Sequence, residues 1–216
     1  MLIHDLIQPQ RPTAEPFYCL VLHGLGDSAK GWKPVAAELR IPELGWCFAQ
    51  APVAYYGGWS WFDIYQDHSV DDAQVRESRA GLTQLIDHLL TTLRIPSERL
   101  FLMGFSQGCL MTLDQGLRAD RLFAGLIGIS GFLTQLDEYP AAFGTAVKQQ
   151  RWLLTHGLYD DVLPIEATRR VKDRLLGLGV PLDWREYAKK HSLDPQRELG
   201  DLRGFLTRRI AAGVGT

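Results

Sequence analysis

The chain has 216 residues, 46% of them hydrophobic and 22% charged, enough for one sizeable core in a single domain spanning residues 1–216. A formal net charge of -2 with no run of Lys or Arg argues against a phosphate-gripping surface, so nucleic acid is not an expected partner. No apolar stretch reaches the length of a membrane span and the N-terminus lacks a basic start before a long apolar region; the expected location is the cytoplasm, without stable membrane insertion.

Apolar runs that read as buried strands alternate with segments of helical period. That pattern predicts an α/β fold, a mostly parallel central sheet with helices on both faces. In chain order, Leu2 to Ile7 reads as a short edge strand ahead of the Pro-rich stretch Pro9 to Pro16, and Tyr18 to His23 and Trp46 to Ala49 follow as strands. Val75, Leu82, Leu85, Ile86, Leu89 and Leu93 recur at three- and four-residue steps, with Asp71 and Asp72 at the acidic start and Pro96 beyond the end. The strand Arg99 to Met103 leads into a helix from Gln107 to Leu117. Strands at Gly125 to Ile129, Arg151 to Thr155 and Leu182 to Tyr187 then alternate with helices at Ile165 to Leu176 and Pro195 to Ile210. Cys19, Cys47 and Cys109 are scattered and odd in number, which fits buried thiols and neither a disulfide framework nor a metal site.

The stretch Gly104-Phe105-Ser106-Gln107-Gly108 places a serine between two glycines where a buried strand passes into a helix. This is the Gly-x-Ser-x-Gly nucleophile elbow, in which small flanking residues let a tight backbone project the hydroxyl above the sheet edge. A serine hydroxyl is a weak nucleophile and needs a base, which in turn needs an acid to orient it. In chain order Ser, acid, His, the only histidines beyond Ser106 are His156 and His191. His156 precedes the best acid and ends a strand, so His191, in a short loop before the last helix, is the expected base; His23 and His156 read as strand-end residues that hold loops by hydrogen bonds. The acid belongs in the loop His156-Gly157-Leu158-Tyr159-Asp160-Asp161, where Asp160 and Asp161 both qualify and either could cap the helix that follows Pro164. An oxyanion needs backbone N–H donors, one just after the nucleophile at Gln107 and one in the early loop His23-Gly24-Leu25-Gly26-Asp27, at Leu25.

Two long connections interrupt the alternation. Ala54 to Val70 carries Tyr55, Tyr56, Trp59, Trp61, Phe62 and Tyr65, a density that predicts either an apolar wall beside the serine or ordinary loop core. Gly131 to Gln150 begins with Phe132 and Leu133, which would form the opposite wall or a small lid, and its polar middle suggests mobility. Trp59, Trp61, Phe62, Phe132 and Leu133 are thus the expected substrate-binding residues.

Taken together, Leu22-His23-Gly24-Leu25-Gly26-Asp27, Trp59-Ser60-Trp61-Phe62-Asp63, the elbow, the Asp160 loop and His191-Ser192 resemble the phospholipase/carboxylesterase family, which includes the acyl-protein thioesterases. The resemblance spans nearly the whole chain. It implies an α/β-hydrolase fold, a Ser106-Asp160-His191 triad, an oxyanion hole from Leu25 and Gln107, no cofactor or metal, and a small-molecule ester or thioester of modest acyl length as substrate. It also implies a homodimer, since family members often pair. Lys189 and Lys190 stand where the family more usually has small or apolar residues. The alternatives are a lysophospholipase or acyl-protein thioesterase role within the same chemistry, a peptidase on the same scaffold, and a non-catalytic binding module, which the intact serine, acid and base disfavour.

Overall fold

The computed structural model describes residues 1–11, 13–66 and 69–213; Pro12 of the Pro-rich stretch and Asp67 and His68 of the first long connection lie outside the described residues. Seven strands form one sheet in the order β1-β3-β2-β6-β7-β8-β9. They are β1 (His4–Ile7), β2 (Phe17–Leu22), β3 (Leu44–Ala49), β6 (Leu100–Phe105), β7 (Gly125–Ile129), β8 (Trp152–Gly157) and β9 (Leu182–Tyr187), and all run parallel except β1, which pairs antiparallel with β3. β2 and β3 are buried along their whole length, because a parallel sheet is covered on both faces.

Alternate residues of each strand enter opposite cores. From β2, Tyr18, Leu20 and Leu22 join one cluster while Phe17, Cys19 and Val21 join the other. The first cluster lies under α2 (Asp72–Leu93), α3 (Gln107–Leu117) and α5 (Ile165–Gly177); the second lies under α1 (Lys33–Leu39) and α6 (Arg197–Gly213). α2 starts at Asp71, whose side chain accepts from Gln74 N–H at 3.0 Å, and its buried stripe follows the predicted one through Val75, Leu82, Leu85, Ile86 and Leu89, with Leu93 at its end only partly buried. Each such side chain removed from water stabilises the fold by about 2 kcal/mol. Cys19, Cys47 and Cys109 are unpaired and buried, and burial pushes the Cys47 and Cys109 thiols up to about 12.

Three elements depart from the sequence reading. α1 was not expected, although Pro34 in its first turn is a helix-start signal. The aromatic connection holds a hairpin, β4 (Val53–Tyr55) and β5 (Gly58–Ser60), turning through Tyr56 and Gly57, both at positive φ. The segment Gly131 to Gln150 contains a short helix, α4 (Tyr139–Ala142), and makes contacts back to the body of the fold. Tyr139 O–H donates to the buried Asp114 at 2.7 Å, Thr145 N–H donates to Asp120 at 2.8 Å, and Ala146 and Val147 are buried.

Register brings the functional loops to one edge. Leu22 pairs with Gly104, Gly104 with Gly128, Ile129 with Thr155, and Gly157 with Tyr187, so β2, β6, β8 and β9 all end on the same side. After β3 the chain crosses to the other side of β2, which makes the carboxyl ends of β2 and β6 a switch point where open α/β sheets leave a crevice. Among the described residues no helix is long and apolar enough to cross a membrane.

Candidate active site

β6 ends at Phe105 and α3 begins at Gln107, so Ser106 alone makes the turn between them, at φ 55° and ψ -115°. An L-residue held there stores strain of about 1–3 kcal/mol, which the surroundings must hold in place. They do so by contact and hydrogen bond. Ser106 N–H donates to Ile129 C=O at 2.9 Å, and Ser106 C=O accepts from Cys109 N–H at 3.0 Å. A Cβ on Gly104 would sit 2.0 Å from Gly108 O, and one on Gly108 would sit 2.1 Å from Leu22 O, so strand and helix approach too closely for any side chain at either position.

Three loops deliver a hydrogen-bonded chain. His191 Nε2 lies 3.0 Å from Ser106 Oγ, and His191 Nδ1 lies 2.8 Å from Asp160 Oδ2. The second Asp160 oxygen accepts from Val162 N–H at 3.1 Å and Leu163 N–H at 2.8 Å. An ionised carboxylate only accepts, so the proton sits on Nδ1 and leaves Nε2 as an acceptor for the serine hydroxyl. The Phe105 ring packs against the imidazole with centroids 4.8 Å apart. Asp161 goes elsewhere: at the surface it takes Lys190 Nζ at 3.0 Å, and that ammonium holds its carboxyl below the usual range. Of the two adjacent carboxylates, Asp160 is therefore the one brought to His191.

The other strand-end histidines serve as braces. His156 is fully buried; its Nε2–H donates to Leu163 C=O at 2.8 Å and lies 3.4 Å from Asp160 Oδ2, and burial pushes its pKa down, favouring the neutral ring. His23 donates from Nδ1 to Gly24 C=O at 2.7 Å and accepts at Nε2 from Ala51 N–H at 3.2 Å, fixing the early loop.

That loop packs directly on the elbow, since a Cβ on Gly24 would lie 3.3 Å from Ser106 Cβ. Leu25 lines the same cavity as Ser106, and Gln107 N–H stands at the start of α3. Among the described residues neither amide donates to a backbone carbonyl. The Gln107 side chain has a job the sequence did not reveal. Its Oε1 accepts from Trp61 N–H at 3.0 Å and its Nε2 donates to Phe62 C=O at 2.7 Å, so it staples the aromatic segment to the elbow.

A family model described as phospholipase/carboxylesterase matches residues 5–210, nearly the full length of the sheet and all of these loops. The chain belongs to the phospholipase/carboxylesterase family. Similar relatives include acyl-protein thioesterase 1 of Schizosaccharomyces pombe, 36% identical over 155 residues that cover 67% of this chain and 69% of that one. The acyl-protein thioesterase 1 of Mycosarcoma maydis is 31% identical over 231 residues, covering 94% and 93%. Among solved structures, Arabidopsis thaliana SOBER1 superposes with a TM-score of 0.81 at 26% identity, covering 90% of this chain and 99% of that one. Like the other members of the phospholipase/carboxylesterase family, the chain is a hydrolase with the α/β-hydrolase fold.

The cavity of this family member at the serine has a volume of about 240 Å³ and is lined by Leu25, Ile64, Phe105, Phe132, Val162 and Leu163 around Ser106 and His191. Of the five residues expected to wall it, only Phe132 does so. Trp61 and Phe62 are fully buried below the site, where Trp61 Nε1–H donates to His23 C=O at 2.8 Å and the Phe62 ring meets Phe132 edge-on. Trp59 pairs with Asp27 beside the hairpin, and Leu133 is buried in the first core. The aromatic density thus builds the floor that supports the wall. Val162 and Leu163, which the sequence reading passed over, take the vacated role because the same turn that feeds their N–H groups to Asp160 exposes their side chains to the cavity.

Proposed function

We propose that Ser106, His191 and Asp160 form the catalytic triad of a two-step hydrolase of carboxylic esters and thioesters, with Leu25 and Gln107 N–H as the oxyanion hole. The observation that carries this reading is the continuous hydrogen-bonded chain from Asp160 through His191 to Ser106 Oγ. Ser106 Oγ attacks the acyl carbonyl while His191 Nε2 takes its proton, and Asp160 steadies the resulting imidazolium. The carbonyl oxygen becomes an oxyanion held by the two amides, each worth roughly 3–4 kcal/mol in the transition state. Collapse expels the alcohol or thiol, protonated by His191, and leaves an acyl-enzyme that a His191-activated water cleaves.

The cavity volume and its lining, apolar apart from Asp27, Ser106 and His191, support acyl chains of short to medium length. The names of the relatives favour acyl thioesters on proteins as the physiological substrate, with lysophospholipids as the second reading. The 216 residues act as one domain; the cytoplasmic location and the homodimer belong to the same reading, the homodimer resting on the family resemblance. Ser106→Ala must abolish both turnover of an aryl ester and labelling by a fluorophosphonate while the thermal melt is retained. Turnover that survives the substitution refutes the assignment.

A further inference from the structure

Lys189 and Glu198 form a buried ion pair that the reaction as described leaves without a role. Lys189 Nζ donates to both Glu198 oxygens, at 2.6 and 2.7 Å, and the side chains are 3% and 0% exposed. Burial alone pushes the Lys189 ammonium's pKa down, and the charges of Glu198, Asp160 and Asp194 oppose that. Removing two charges from water is costly enough that apolar residues of the same volume often stabilise a fold as well. What distinguishes this pair is where it sits.

Lys189 joins three elements around the base. Its N–H donates to Tyr187 C=O at 2.8 Å at the end of β9, and its C=O accepts from Tyr159 N–H at 3.0 Å, one residue before Asp160. The Asp160 loop comes so close that a Cβ on Gly157 would lie 2.4 Å from Lys189 O. On the other side, Glu198 in the first turn of α6 also accepts from Asp194 N–H at 2.9 Å, and the Asp194 side chain accepts from Arg197 N–H at 2.7 Å. His191 therefore occupies a loop gripped two residues before it and three residues after it, with Glu198 holding both ends.

We propose that the Lys189–Glu198 pair positions His191, fixing the loop 188–194 so that one imidazole spans Ser106 Oγ and Asp160 Oδ2. This rests on the triad reading above. Both are positioning residues: neither touches the reacting atoms, and their effect passes through the His191 backbone. A misplacement on the order of 1 Å in such a group costs about 100-fold in rate.

The test uses Lys189→Met with Glu198→Gln, which removes both charges while leaving Asp194 N–H an acceptor, beside Lys189→Arg as the conservative variant. The doubly substituted enzyme is expected to melt near the wild type, to lose about 10- to 100-fold in kcat on an aryl ester with KM nearly unchanged, and to broaden or lose the downfield proton resonance of the His191–Asp160 hydrogen bond. Lys189→Arg should keep both the kcat and the resonance. A folded double variant with wild-type kcat and a sharp resonance overturns the proposal. Should that variant not fold, Glu198→Gln alone decides by the same two readouts. Wild-type protein that fails to react with a fluorophosphonate sinks the triad reading itself, whereas a reactive wild type with indifferent variants sinks only the positioning role.

Discussion

Asp160→Asn tests the site at the atom where the geometry is most constrained. One Asp160 oxygen accepts from Val162 and Leu163 N–H, at 3.1 and 2.8 Å, and the other from His191 Nδ1–H at 2.8 Å. An asparagine in the same place must turn its carbonyl toward the two amides. The flipped orientation would set an NH2 group against the two part-buried donors, losing both hydrogen bonds at a net cost of about 0.5–1.5 kcal/mol each. The NH2 group is therefore forced to face Nδ1, which must then accept, and the ring proton moves to Nε2. At 3.0 Å from Ser106 Oγ, Nε2 becomes a donor and can no longer take the hydroxyl proton. A base locked in the wrong tautomer lowers kcat by about 10⁴-fold, equivalent to roughly 5.5 kcal/mol of barrier. Asp161→Asn serves as the internal control, since Asp161 pairs with Lys190 at the surface while Asp160 is the carboxylate hydrogen-bonded to His191. Steady-state hydrolysis of a short-chain nitrophenyl ester measures both, with thermal melts to show that each variant is folded. An Asp160→Asn enzyme with more than about a tenth of wild-type kcat, or an Asp161→Asn enzyme that falls alongside it, refutes the assignment of the acid and the tautomer argument together.

Phe132→Ala enlarges the cavity, so the preferred acyl chain should lengthen by about two to four carbons in a nitrophenyl ester series; an unchanged optimum would place the acyl chain elsewhere. Gln107→Ala keeps its backbone N–H but strands Trp61 N–H and Phe62 C=O, and urea unfolding should show a loss of about 2–5 kcal/mol. A loss below about 1 kcal/mol would mean that the staple is not load-carrying. Burial holds the pKa values of His23 and His156 below the ordinary 6.5, so below that pH the unfolded chain binds more protons than the folded one. Their contribution to stability is intact above pH 6.5 and declines as pH falls toward the folded-state pKa values, by up to about 1.4 kcal/mol per pH unit for each ring. Unfolding free energies at about pH 7 and 5.5 should show this slope, and His156→Phe should flatten it; an equal slope in that variant would remove His156 from the account.

The parts of the site written in consecutive residues were legible without coordinates. The elbow is a local device: a buried strand, two glycines and a helix start announce where Ser106 must turn, and the structure puts the turn at that residue. The same holds for the parallel sheet, because strands covered on both faces read as unbroken apolar runs. What adjacency cannot resolve is direction. Asp160 and Asp161 are neighbours with the same chemistry, and the choice between them falls to two amides downstream and to Lys190, none of which marks itself in sequence. The aromatic segment fails in the same way: its density is visible, but whether Trp61 and Phe62 face the cavity or the core depends on the hairpin β4–β5 and on the Gln107 side chain. Val162 and Leu163 escaped notice because their role follows from a turn built around Asp160, and α1 because seven residues carry too little periodicity, despite Pro34.

The strained serine and the tight loops depend on one ladder. Gly104 on β6 is paired to Leu22 on one side and Gly128 on the other, and it also has Gly108 O where its side chain would be, so the elbow cannot relax without breaking pairs on three strands. Ser106 N–H is itself donated to the end of β7, which extends that ladder through the nucleophile. Asp160 and His191 leave from β8 and β9, which are paired up to Gly157 and Tyr187, and Leu158 N–H continues the pairing by donating to Tyr187 C=O at 2.8 Å. The distances at the triad are thus set by backbone register across the sheet, together with the Glu198 anchor in the first turn of α6, rather than by helix packing remote from this edge. A cavity made far from this edge, such as Leu206→Ala under α6, should therefore cost stability on the scale of 2–5 kcal/mol, while kcat measured well below the melting transition stays within about twofold. A Leu206→Ala enzyme that is folded yet loses kcat tenfold would show that packing along the body of α6, and not strand register with the Glu198 anchor, sets the geometry of the base.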